Sequence, residues 1–146
     1  MSFINFNRRF VALSLAFYFA LLAGCSNLVQ VQGEVTLDGK PLSNAKVMFM
    51  PKGGGRPAEG KSDADGKFKL TTNQPFDGAA PGEYVVTVTA RTIVYESKAG
   101  TEEGFIEKPI WHAPQKYSEP AKSDLVATVS AEKPKIKLEL RSSVTP

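Results

Sequence analysis

Pro81-Gly82-Glu83-Tyr84-Val85-Val86-Thr87-Val88-Thr89 is the stretch whose reading decides the fold. A proline–glycine turn leads into alternation, with Tyr84, Val86 and Val88 on one face and Val85, Thr87 and Thr89 on the other. Successive side chains of an extended backbone leave on opposite sides, so a two-residue rhythm in β-branched and aromatic residues predicts a strand. The same rhythm runs outward in both directions. Val29, Val31, Gly33, Val35 and Leu37 share a face and stop at Asp38-Gly39, a tight-turn dipeptide. Ala45, Val47 and Phe49 continue it to Pro51, and Gly53-Gly54-Gly55-Arg56-Pro57 reads as a flexible loop. Asp63-Ala64-Asp65-Gly66 turns the chain into Phe68 and Leu70, and Asp77-Gly78-Ala79-Ala80 leads back to the opening strand. Downstream, Leu125, Ala127 and Val129 and then Ile136, Leu138 and Leu140 close the pattern. No stretch after residue 25 keeps a helical period. Six to eight short strands separated by turns predict an all-β sandwich.

The N-terminus follows a different grammar. Arg8 and Arg9 precede an apolar run over residues 10–22, interrupted only by Ser14. A helix of about a dozen residues rises roughly 20 Å, too short for a hydrocarbon core of about 30 Å. A positive start, a short apolar core and small residues at the end are the pattern of a secretory signal. Leu22-Ala23-Gly24-Cys25 resembles the lipobox of bacterial lipoproteins, which implies cleavage between Gly24 and Cys25 and lipid modification, including palmitate-type acylation, on Cys25. The expected organisation is a signal helix over 1–24, a lipidated cysteine and short tether over 25–28, a sandwich over 29–140 and a tail over 141–146. The chain would then be exported and held on a cell-envelope membrane by lipid, on its periplasmic or surface side. Ser26, where some bacteria read an aspartate as an inner-membrane signal, favours the outer membrane.

The signal also explains the apparent basicity. The 146 residues carry 18 Lys+Arg against 15 Asp+Glu, a net +3, and removing Arg8 and Arg9 leaves 16 against 15, a net +1. A nearly neutral domain has no electrostatic footprint for nucleic acid. Cys25 is the only cysteine, so an internal disulfide is excluded. The roughly 120 remaining residues suffice for one domain.

Gly33-Glu34-Val35-Thr36-Leu37-Asp38-Gly39-Lys40-Pro41-Leu42, Asp63-Ala64-Asp65-Gly66-Lys67-Phe68 and Pro81 to Val88 together resemble the carboxypeptidase regulatory-like domain. That resemblance implies a transthyretin-like (prealbumin-like) Greek-key sandwich of about seven strands. The segment Pro114-Gln115-Lys116-Tyr117-Ser118-Glu119-Pro120, with the last two strands, is similar to small bacterial lipoproteins built around this domain. The fold serves unrelated proteins as scaffold and spacer, so it does not fix a function.

No catalytic set emerges. His112 is the only histidine, whereas zinc chemistry and the transthyretin-like hydrolases both need more ligands or bases than one. Asp63-x-Asp65-Gly66 lacks the third oxygen ligand and the later bidentate acid of a calcium loop. The expectation is no enzyme, no metal and no cofactor. The least ordinary segment is 91–123, with Tyr95, Phe105, Trp111 and Tyr117 among Pro109, Pro114 and Pro120. A segment this long is functional, disordered or conceals a strand. Two readings stay open. Trp111 and Tyr117 fold back to cap the sandwich, or Tyr95, Trp111, His112, Tyr117 and Arg56 form a surface for a glycan or an envelope protein. The expected function is therefore a lipid-anchored structural or binding module, with a carbohydrate- or protein-binding accessory subunit as the alternative.

Overall fold

A computed structural model describes residues 27–97 and 105–142. The signal segment 1–24, the cleavage position at Gly24, the lipidation residue Cys25 and the far end of the tail lie outside the described residues. Ten strands follow in chain order: β1 (Gln32–Leu37), β2 (Lys40–Pro41), β3 (Lys46–Pro51), β4 (Ala58–Lys61), β5 (Lys67–Lys69), β6 (Gly82–Thr89), β7 (Arg91–Ser97), β8 (Phe105–Trp111), β9 (Val126–Val129) and β10 (Lys135–Leu140). The only helical element among the described residues after residue 90 is a 3-10 turn over Gln115–Ser118. No described helix is long and apolar enough to cross a membrane. The described residues are all-β.

One four-stranded sheet has β1 at its centre. β10 runs parallel to β1 on one side (Val35 opposite Leu138), while β2 and β5 share the other side, both antiparallel. The second sheet is antiparallel in the order β4-β3-β6-β9, with Phe49 opposite Val86. β7 and β8 form a separate two-stranded hairpin. Asp38 and Gly39 carry φ of 50° and 78°, the two positive values that a type I′ turn between β1 and β2 demands.

The inward alternation fills a single core. Val31, Val35, Phe68, Leu138 and Leu140 from the first sheet meet Val47, Phe49, Tyr84, Val86, Val88 and Val129 from the second, all buried. Phe49 joins the layers, its ring centroid 6.2 Å from Phe68 and 5.7 Å from Tyr84 in tilted arrangements. Such pairs add about 0.5–1.5 kcal/mol each beyond the area they bury. Tyr84 satisfies its hydroxyl by donating to the Ala80 carbonyl at 2.7 Å, and burial pushes its phenol above the usual tyrosine range.

Both seams between the sheets are closed. On one side, an isolated Glu59–Thr71 bridge links the β4 edge to the chain after β5. On the other, β9 pairs only with the Gly82–Val85 half of β6, and the chain before β9 covers the remainder. There the Ser123 hydroxyl donates to the Val86 carbonyl at 2.6 Å. Tyr117 (3% exposed) enters this seam, its hydroxyl accepting from the Arg141 N–H at 3.1 Å. A buried serine stitches the far end of the core: the Ser62 hydroxyl accepts from the Ala45 N–H (2.9 Å) and donates to the Leu42 carbonyl (2.7 Å).

The two-sheet body has two distinct poles. A two-way Val29–Ala79 bridge ties the start of the described chain beside the Gly82 end of β6. The hairpin departs from the Thr89 end. Eight residues of strand separate the two, roughly 26 Å.

Candidate functional site

The hairpin grows directly out of the core. Ala90 is buried, and its carbonyl accepts from the His112 N–H at 2.8 Å, clamping the base where the two strands leave the sheets. The pairing then runs from Arg91 opposite Trp111 at the base, through Ile93 opposite Pro109 and Tyr95 opposite Glu107, to Ser97 opposite Phe105. Directly paired residues share a face. Arg91, Trp111, Ile93, Pro109 and Tyr95 therefore lie on one side, and Thr92, Ile110, Val94 and Ile106 on the other.

Among the described residues, none covers either side. Tyr95 is 63% exposed, Ile106 52% and Ile110 45%, with Ile93 also exposed. Val94 and Trp111 alone among the assigned hairpin side chains are half-buried. Among the described residues, the side-chain fastenings between its strands are the exposed Lys108–Glu96 ion pair at 3.2 Å, the Arg91 guanidinium 5.7 Å from the Trp111 ring centroid, and the Thr92–His112 contact at its base. A two-stranded hairpin without a covering layer is marginal in water.

The five binding candidates are not brought together. Tyr95, Trp111 and His112 share the hairpin, with Tyr95 about four residues of strand farther out than Trp111. The His112 Nε2 lies 2.8 Å from the Thr92 hydroxyl, on an exposed face. Tyr117 lies in the seam between β6 and β10, where its ring packs in the core. Beside it the Asp124 carboxylate, 3.1 Å from the Lys116 ammonium, holds that lysine above its usual range. Arg56 sits apart in the β3–β4 loop, bonded to the Asn73 side chain. The segment 91–123 is thus two structures, an exposed hairpin and a seam-filling turn.

Asp63 has a structural occupation. One carboxylate oxygen accepts from the Asp65 N–H (2.9 Å) and the Lys67 N–H (2.8 Å), making the turn that Gly66 completes at φ 75°. Among the described residues no three His, Cys, Asp or Glu side chains cluster as metal ligands.

Ile93, Ile106 and Ile110 escaped the sequence reading. β7 alternates weakly, since Thr92-Ile93-Val94-Tyr95 is β-forming on both faces, and Pro109 argues against a strand at β8. Its ring is tolerated because both hairpin strands are edges.

Neither a protein-family model nor a curated protein matches the sequence. Among solved structures, that of a 9R-lipoxygenase from Cyanothece PCC8801 is similar over 79% of this chain and 16% of its own, at 13% identity and a TM-score of 0.38. The chain therefore spans less than a fifth of that protein's length.

Proposed function

We propose that the chain is a lipid-anchored, non-catalytic module of the cell envelope whose β7–β8 hairpin docks onto another envelope protein. The two sheets are read as a Greek-key sandwich of the carboxypeptidase regulatory-like kind, held to a membrane through lipid on Cys25. The observation that carries the docking role is the hairpin itself, which exposes large apolar side chains on both faces with neither face covered by a described residue. Its position supports the reading: the tether joins at one pole and the arm leaves from the other, so an anchored domain would hold the arm away from the lipid. A protein partner is favoured over a glycan because three of the arm's four exposed large apolar side chains are isoleucines, while the Trp111 ring is already half-buried and flanked by Arg91.

Two measurements test the parts separately. Cys25→Ser should abolish fatty-acid labelling and membrane retention, and continued labelling would remove the anchor. Native electrophoresis of gently solubilised membranes should then show the wild-type chain in a complex larger than itself. A Tyr95→Ser, Ile106→Ser, Ile110→Ser variant should run alone, and unchanged migration of that variant would remove the docking role.

A further inference from the structure

A second feature lies on the flank of the sandwich, and no hairpin residue lines it. The outer face of β10-β1-β5 and the edge of β4 enclose an open groove of about 1320 Å³, lined by six lysines against three acids. Two of the charges are already matched, since Lys46 pairs with Glu59 at 2.9 Å, and the Asp63 carboxylate is occupied by its turn. Lys61, Lys69, Lys135 and Lys137 have no ion pair among the described residues. Their spacing follows from the register. Lys135 and Lys69 flank Gln32 from the two neighbouring strands, so their backbones are about 9.6 Å apart, and Lys137 stands two residues along β10.

At one end of the groove stands Phe76, 61% exposed and held at φ 61°. That left-handed conformation is an outlier for a bulky side chain and costs on the order of 1–2 kcal/mol. The surrounding turn enforces it. The Asp77 carboxylate accepts from the Thr72 (2.7 Å), Asn73 (2.9 Å) and Gln74 (2.8 Å) N–H groups, and the Phe76 N–H donates to the Thr71 hydroxyl at 3.0 Å. The turn spends strain on presenting an aromatic face to water beside Lys69, whose ammonium lies 5.6 Å from the ring centroid.

From this juxtaposition we propose that the groove binds an anionic polysaccharide, with Phe76 as the platform for a sugar ring and Lys61, Lys69, Lys135 and Lys137 meeting its acidic groups. The negative face of an aromatic ring attracts the C–H face of a sugar, and lysines on strand surfaces supply charge without demanding one rigid geometry. A peptide adding itself as a strand has no free edge here, because β4 and the chain after β5 are bridged to each other through Glu59 and Thr71. The concave shape suits a chain better than the plane of a membrane.

The test uses the full chain in neutral detergent, titrated calorimetrically with a uronic-acid hexamer, a neutral glucose hexamer, hexaglutamate and vesicles of anionic phospholipid. The proposal expects binding of the uronic hexamer alone, weakening as salt rises. Lys135→Gln with Lys137→Gln should reduce that affinity about fivefold, as expected for two exposed charge contacts. Phe76→Gly should reduce it about tenfold while leaving the melting temperature equal or higher, since glycine relieves the positive φ. Loss of binding only together with loss of folding would overturn the role of Phe76. Equal binding of hexaglutamate, binding of vesicles without the hexamer, insensitivity to both variants, or no binding at all would each overturn the site.

Discussion

Gly33→Ala tests how tightly the two sheets are fitted together. An added Cβ at Gly33 would lie 2.2 Å from Phe68 Cζ, 2.6 Å from its Cε1 and 2.8 Å from the Ile136 carbonyl oxygen. Relief requires the Phe68 ring to move by more than 1 Å, taking ordinary carbon contacts as about 3.5 Å. The ring has nowhere to go: it is buried, tilts against Phe49 and lies against Gly60, while the Ile136 oxygen belongs to a paired strand. Overpacking of a closed core costs about 1–3 kcal/mol, and this site belongs at the upper end. For a domain of this size, that lowers the melting temperature by roughly 10–15 °C. The assay is urea and thermal unfolding of the full chain followed by circular dichroism. A double-mutant cycle with Phe68→Leu should recover at least about 1 kcal/mol of coupling, because the smaller side chain makes room for the methyl group. A loss below about 0.5 kcal/mol for Gly33→Ala, or additive behaviour in the cycle, would refute the packing argument.

Ser62→Ala leaves the Ala45 N–H and Leu42 carbonyl without their partner, and chemical denaturation should show a loss of about 2–4 kcal/mol, one desolvation penalty per orphaned group. Tyr84 has its folded pKa raised above the ordinary 10.0, so its contribution is complete below that value and is lost as pH climbs through the higher folded value. Unfolding measured from pH 9 upward should accordingly be steeper for the wild type than for Tyr84→Phe, and identical alkaline limbs would contradict this. Tyr95→Ser and Ile106→Ser should each change the unfolding free energy of the isolated chain by less than about 0.5 kcal/mol, because both side chains already face water. A larger loss would mean that the hairpin is part of the core.

The core was written locally. Tyr84, Val86 and Val88, and likewise Val47 and Phe49, are buried by the alternation that predicts them, since one face of a strand needs only its own sequence to declare itself. The turns at Asp38-Gly39 and Asp63 to Gly66 were equally legible, their residue types being what the backbone conformation requires. Pairing was not. Nothing in Lys135 to Leu140 announces a parallel partner about 100 residues earlier in β1, because register is settled by which apolar faces meet across the core. Tyr117 sits among polar neighbours, and its burial depends on β9 stopping halfway along β6. The hairpin was obscured by the property that makes it a docking candidate: a strand apolar on both faces lacks the rhythm by which strands are recognised. Phe76 was hidden for a related reason, since positive φ is expected of glycine rather than phenylalanine.

The docking reading of the arm is tested most directly by site-specific photo-crosslinking in intact membranes. A photoreactive residue would replace Tyr95, Ile106 or Ile110 in turn, with Glu83 and Thr128, exposed at the opposite pole, as controls. The account predicts that the three hairpin positions trap one common protein while the controls do not. Adducts absent from the hairpin, or no more frequent there than at Glu83 and Thr128, would contradict it.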